Sequence, residues 1–123
     1  MKNIEIASIV NIYQSGEGEI KLPAAVAWKR RLNMVKLIEA KHIIDDAIRE
    51  ISERYSDDEH SVADGDGRKV KPEYIADFGK EKADILTQET DIDIKKVPIE
   101  ALGDIELTDT QLNTIAFMIE EGE

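Results

Sequence analysis

From Leu22 to Tyr55 the chain runs through about thirty-four residues of nearly unbroken helical pattern, with no glycine and, after Pro23, no proline. Proline is tolerated in the first turn of a helix, where its missing N–H has no partner to lose. A helix of that length spans roughly 50 Å at 1.5 Å per residue. That exceeds the diameter of a globule built from 123 residues. The rod is therefore expected to pack against a partner helix or another copy of the chain. Met34, Leu37, Ile44, Ile48, Ile51 and Tyr55 recur with the period of one buried stripe, and Leu32, Val35, Ile38 and Ala47 widen it. Lys41 interrupts the stripe, with a stem long enough to lie along it while the ammonium stays in water. Arg49 with Glu53 and Glu50 with Arg54 are spaced for ion pairs worth only a few tenths of a kcal/mol.

Charge divides the chain. Residues 21–41 hold six cations against Glu39 alone, whereas residues 42–123 sum to fourteen negative charges within a net charge of −11. Such a surface repels nucleic acid over most of its area, so direct nucleic-acid binding is not expected. It suits a basic partner, or a mimic that occupies a nucleic-acid-binding groove; solubility alone is the plainer explanation. The charged fraction of 35% also favours long solvated helices over a thick core. Without cysteine, disulfides, thiolate nucleophiles and Cys-based metal sites are excluded. The opening Met1-Lys2-Asn3-Ile4-Glu5 does not read as a signal peptide, and no apolar run approaches the ~20 residues of a membrane span. A cytoplasmic protein is the expectation.

The remaining segments read as one domain. Residues 1–22 begin with a short helix near 5–14, carrying Ile6, Ile9, Val10 and Tyr13. Ser15-Gly16-Glu17-Gly18 breaks it, and residues 19–22 approach Pro23 extended. Residues 23–90 form a helical hairpin whose polar loop, 57–71, closes as a small exposed hairpin around Asp64-Gly65-Asp66-Gly67 or else stays mobile. Pro72 opens the second helix, with Tyr74, Ile75, Phe78, Ile85 and Leu86 as its apolar face. Residues 91–123 start with the strict alternation Asp91-Ile92-Asp93-Ile94-Lys95, a short strand that needs residues 3–6, residues 19–22 or another subunit as its neighbour. One turn follows at Pro98–Leu102, closed by Gly103. Thr108 and Gln111 then match a capping box before a last helix burying Leu112, Ile115, Ala116 and Ile119 and ending before Gly122. The expected fold is mainly α: a long antiparallel helical hairpin with a small α+β end and a C-terminal helix.

Few residues promise chemistry. Neither Gly65 nor Gly67 can sit sixth in an EF-hand loop, since His60 or Val62 would then stand first. His42, Asp45 and Asp46 share a helix face at metal-ligand spacing, but His60 is the only other histidine; His42 hydrogen-bonded to a neighbouring carboxylate is the simpler reading. No glycine loop cradles phosphate, and no nucleophile has an obvious base. The chain reads as a non-enzyme without cofactor or metal. Trp28-Lys29-Arg30-Arg31 is the one binding candidate: an aromatic beside cations on an early turn can stack a base or hold a phosphate. The alternative has Trp28 packed on the N-terminal helix while the cations reach water.

With Leu22-Pro23 leading into the charged helix, the Asp91–Ile99 segment and the closing Leu112–Glu121 stretch, the chain resembles a family of small accessory proteins of phages and prophages of Gram-positive bacteria. The resemblance covers most of the chain but brings no activity to any residue. It implies a non-catalytic binder in the cytoplasm of a bacterial host, acting on host or virion components. The leading expectation is a protein that binds and neutralises a host factor, in an anti-defence or host-takeover role. A virion assembly or structural protein is one alternative, and a sponge for a nucleotide signal at Trp28 and Arg30 is another. The overhanging helix and the lone strand both suggest a homo-oligomer, most simply a two-fold dimer.

Overall fold

The computed structural model describes residues 1–16 and 19–120. The long helix is there without a break: α2 spans Ala24–Arg54, about 46 Å at 1.5 Å per residue. Its buried side follows Val26, Asn33, Met34, Leu37, Ala40, Ile44 and Ile51. Ile38, Ala47, Ile48 and Tyr55 flank that line half-buried, as the widened stripe anticipated. Val35 departs from it and stands 52% exposed on the opposite side. Lys41 lays its stem against the protein and gives its ammonium to Asp45 at 2.6 Å.

Three pieces of the same chain cover this one side. Helix α1, Asn3–Ser15, buries Ile6 and Val10 against Met34, Leu37, Ala40 and Ile44. It ends because Gly16 turns into the left-handed region at φ 78, which a side chain resists; Glu17 and Gly18, the rest of the expected break, lie outside the described residues. Toward the other end, helix α3, Ile75–Leu86, packs Ile85 and Leu86 on the same core. At the start of α2, Val26 sits in a second cluster with Val97, Leu102, Ile115 and Met118. Helices and segments of the same chain thus supply the partner surface that the length of the rod called for.

Between α2 and α3 the polar loop is an ordered antiparallel ribbon, β1 (Ser61–Asp64) with β2 (Gly67–Val70). Gly65 alone is left-handed in the connection, at φ 61, as a II′ turn requires at its first central position. Arg68 ties the ribbon down, donating to Ser61 Oγ at 2.7 Å and to Asp58 at 2.8 Å. Pro72–Tyr74 forms a 3₁₀ turn that feeds α3, and Ile75, expected on the apolar face, is 52% exposed. Arg54 reaches across to Glu81 on α3 at 2.8 Å rather than back to Glu50. Arg49 lies 2.8 Å from Asp46 and 4.0 Å from Glu53.

The expected strand at Asp91–Lys95 does not form. Its alternation is real, since Ile92 and Ile94 pack inward while Asp91, Asp93 and Lys95 face water. Its backbone, however, bonds to helix side chains instead of to a ladder. Asn33, fully buried, donates its amide to Lys95 O at 2.9 Å and accepts from Lys95 N at 2.8 Å. Lys36 Nζ donates to Asp93 O at 2.9 Å. Beyond it, Val97 forms one parallel bridge with Ile119. A second buried asparagine makes a clamp of another kind: Asn3 donates to Ile85 O on α3 at 2.8 Å and accepts from Thr90 Oγ1 at 2.6 Å.

The Pro98–Leu102 turn is a 3₁₀ helix over Ile99–Leu102 closed by Gly103. Helix α4, Asp109–Ile115, starts on the capping box, with Thr108 and Gln111 bonded both ways at 3.0 and 3.1 Å. It is shorter than expected and tightens into a 3₁₀ turn, Ala116–Met118. That phase change buries Met118 and Thr114 and leaves Ala116 exposed, while Leu112 and Ile119 are half-buried. Gly122, the expected stop, lies outside the described residues.

Replacing Asn33 with alanine orphans the Lys95 N–H and C=O together. An orphaned buried polar group costs roughly 1–3 kcal/mol. Asn33→Ala should therefore lower unfolding stability by about 2 kcal/mol, read as a drop in the urea midpoint with unchanged slope. An unaltered midpoint would show that the Lys95 segment is not held by this amide.

Candidate functional site

The structure splits the Trp28-Lys29-Arg30-Arg31 quartet. Trp28 is 60% exposed, too open for the reading in which it packs beneath α1. Arg30 takes that place instead. Its guanidinium lies 4.9 Å from the centre of the Tyr13 ring, near the end of α1. Residues two apart on a helix project to nearly opposite sides. One of the pair therefore had to face the protein and the other water. Lys29 is half-buried, and Arg31 is exposed.

Arg30 and Arg31 line an open cleft of about 600 Å³ with Tyr13, Gln14, Ser15, Gly16, Glu19 and Ile20. Arg30 Nε is buried and has no hydrogen-bond partner among the described residues. Burial pushes its guanidinium pKa below the usual value, and the neighbouring Tyr13 partly offsets this. The aromatic that stacks on a cation here is thus Tyr13, which the sequence marked only as a member of an apolar face. Which side of α1 meets α2 decides this, and no local pattern reports it.

A second arrangement lies between α2 and α3, invisible to local pattern because it joins the two arms of the hairpin. Glu50 and Asp84 line a shallow groove of about 300 Å³ with Arg54 and Glu81, over a floor that includes Ile51 and Ile85. Arg54 is committed to Glu81. Glu50 and Asp84 have no ion pair among the described residues and are exposed. Carboxylates over an apolar floor suit the stem and head of a lysine or arginine from another molecule.

At the tip of the hairpin, Tyr55, His60, Tyr74 and Phe78 form an aromatic cluster, with Tyr55 and Phe78 edge to face at 5.1 Å and His60 against Tyr74 at 4.6 Å. His60 Nδ1 lies 2.7 Å from Asp57 Oδ1, which also accepts from the His60 backbone N–H at 2.9 Å. Asp57, Glu59 and His60 bring one potential metal-ligand atom each within 4.8 Å. Asp57 already caps this turn, and both carboxylates are exposed, so the trio reads as turn structure rather than as a metal cage. His42 is exposed, and its neighbours Asp45 and Asp46 are taken by Lys41 and Arg49 rather than by the imidazole.

The tip carries a pH dependence. Hydrogen bonds from the His60 side chain and backbone hold Asp57 below the usual carboxylate value. Glu81 is held down by hydrogen bonds from Tyr55 and then Arg54, and the same contact with Glu81 raises Tyr55. Folding therefore weakens proton binding at both carboxylates. Their contribution is complete above the ordinary carboxylate range, about 4, and is lost as pH falls through the lower folded values. Near-UV circular dichroism of the tyrosines should decline below about pH 4. In Asp57→Asn the decline should be smaller.

No family model, curated protein or solved structure matches the chain.

Proposed function

We propose that this chain is a non-catalytic accessory protein of the phage type that binds and neutralises a basic host factor. The observation behind this reading is the α2–α3 groove, where Arg54 is committed to Glu81 and Glu50 and Asp84 make no ion pair among the described residues, over an apolar floor. Charge elsewhere agrees: residues 42–123 carry a net fourteen negative charges, while Arg49, Arg54 and Arg68 are already matched to carboxylates. A partner supplying a lysine or arginine to this groove gains a charge-assisted contact at small cost, since both carboxylates are still solvated. The accessory phage context comes from the resemblance alone. No helix among the described residues is long and apolar enough to cross a membrane.

The reading is tested by capture from host lysate, with bound proteins identified by mass spectrometry. A basic protein should be retained at low salt and released near 0.5 M, where the Debye length is only about 4 Å. Glu50→Gln with Asp84→Asn should weaken capture about tenfold, in line with loss of a desolvated charge contact, without shifting the melting temperature. Capture indifferent to both changes would remove the groove from the function. Recovery of the chain in mass spectra of purified particles, with no host partner, would instead favour a virion role.

A second reading draws on Arg30. Its buried, unpartnered Nε beside Tyr13 favours a phosphate-bearing ligand such as a cyclic nucleotide, sequestered in the Arg30–Arg31 cleft. Ligand at 100 times its dissociation constant would stabilise the fold by about 2.7 kcal/mol. Thermal-shift screening with cyclic nucleotides should then raise the melting temperature of the wild type and leave Arg30→Gln unchanged. A flat response in both proteins ends this reading.

A further inference from the structure

The side of α2 facing away from the core is not the polar face that a solvated helix would show. Trp28, Val35 and Ile43 stand 60%, 52% and 71% exposed on it, with Leu32 half-buried between the first two. Trp28, Leu32 and Val35 follow one another at single-turn steps, and Ile43 lies two turns beyond Val35. Large apolar side chains aligned in this way mark a surface meant for contact rather than scattered exposure.

The charges on the same face say which partner fits. Arg31 lies one turn before Val35, and Glu39 lies one turn after it. Both are exposed, and neither has an ion-pair partner among the described residues, although Lys36, Lys41, Arg49 and Arg54 all do. A two-fold axis through Val35 places Arg31 of each copy opposite Glu39 of the other, so the pair is made twice. The same operation lays Trp28 against His42 and Ile43 of the second copy. An isologous interface requires this self-complementarity; a parallel pair would set Arg31 against Arg31 and Glu39 against Glu39. Contact from Ala24 to Asp46 would run about 33 Å along each helix.

We infer that the outer face of α2 is an antiparallel homodimer interface centred on Val35, made by Trp28, Leu32, Val35 and Ile43 and set in register by Arg31 and Glu39. It stands apart from the acidic groove, which lies between α2 and α3 and is lined by none of these residues.

Light scattering on the full chain should give twice 13.8 kDa, falling to one copy on dilution. Val35→Glu, which sets two carboxylates against each other on the axis, should give a single copy with wild-type helical circular dichroism. Should that variant fail to fold, Ile43→Lys provides the same reading away from the axis. Emission of the single tryptophan should shift to longer wavelength in either monomeric variant. Arg31→Glu should weaken dimerisation about tenfold, through two surface pairs turned repulsive, and adding Glu39→Arg should restore it. With no native cysteine, Val35→Cys should oxidise to a covalent dimer while Asp46→Cys should not. A single-copy mass throughout the dilution series overturns the interface. So does a dimer indifferent to Val35→Glu and Ile43→Lys. Cross-linking through Asp46→Cys, or failure of Glu39→Arg to rescue, overturns the antiparallel register. Monomeric Val35→Glu that still captures a host protein through Glu50 and Asp84 leaves the proposed function standing, so the two ideas fail separately.

Discussion

A helix as long as α2 cannot be enclosed by a chain of 123 residues, so it can be buried along one side only. The rest of the fold follows from how that side is covered. The chain uses three separate pieces in sequence along the rod: the Val97–Met118 cluster at its start, α1 at its middle and α3 toward its end. Ile94 and Phe117 pack against both apolar clusters and so join the covers to one another. Burying aliphatic side chains supplies the drive, at about 25 cal/mol per Å². Because each piece spans only part of the rod, register along α2 has to be set by something directional.

Two asparagines provide that direction. An amide side chain carries a donor and an acceptor in one plane, which lets it imitate a neighbouring strand for a single residue. Asn33 does so for Lys95, whereas Asn3 joins the helix carbonyl of Ile85 to the hydroxyl of Thr90. Sliding the Asp91–Val97 segment along α2 by one residue would present the wrong backbone groups to Asn33 and turn Ile92 and Ile94 outward. Apolar contact alone would tolerate that shift far better. The polar clamp and the alternation therefore specify the same register from two independent directions.

The mainly α hairpin, the Asp-Gly ribbon, the turn closed by Gly103 and the Thr108–Gln111 cap could all be read from the sequence, because each depends on residues within a few positions of one another. The misread strand shows where such reading stops. Alternation at Asp91–Lys95 correctly reports an extended segment with one face inward, but periodicity carries no information about what accepts the backbone hydrogen bonds. Val35 shows the same limit on a helix. Its spacing from Leu32 and Ile38 admits it to a broad apolar stripe, yet the width of the stripe that is covered depends on helices distant in sequence. The shortened α4 has a similar origin: a tighter turn at Ala116–Met118 lets Met118 fill the second core and carries Ile119 into its bridge with Val97.

The Trp28–Arg31 quartet could be picked out in the sequence, but its geometry could not. Trp28 and Arg30 lie too far apart around a helix to act on one ligand, and the structure gives them opposite duties: Arg30 stacks inward on Tyr13, and Trp28 begins the outer apolar row. One-sided burial accounts for both. A rod covered on a single side must show its other side to solvent or to a partner, and a sequence shaped only for solvent would place charges there. Trp28, Val35 and Ile43 contradict that expectation, while Arg31 and Glu39, placed symmetrically about Val35, have no ion-pair partner among the described residues. Length made an uncovered face unavoidable, and the residues on that face, rather than the length, carry the argument for a second copy.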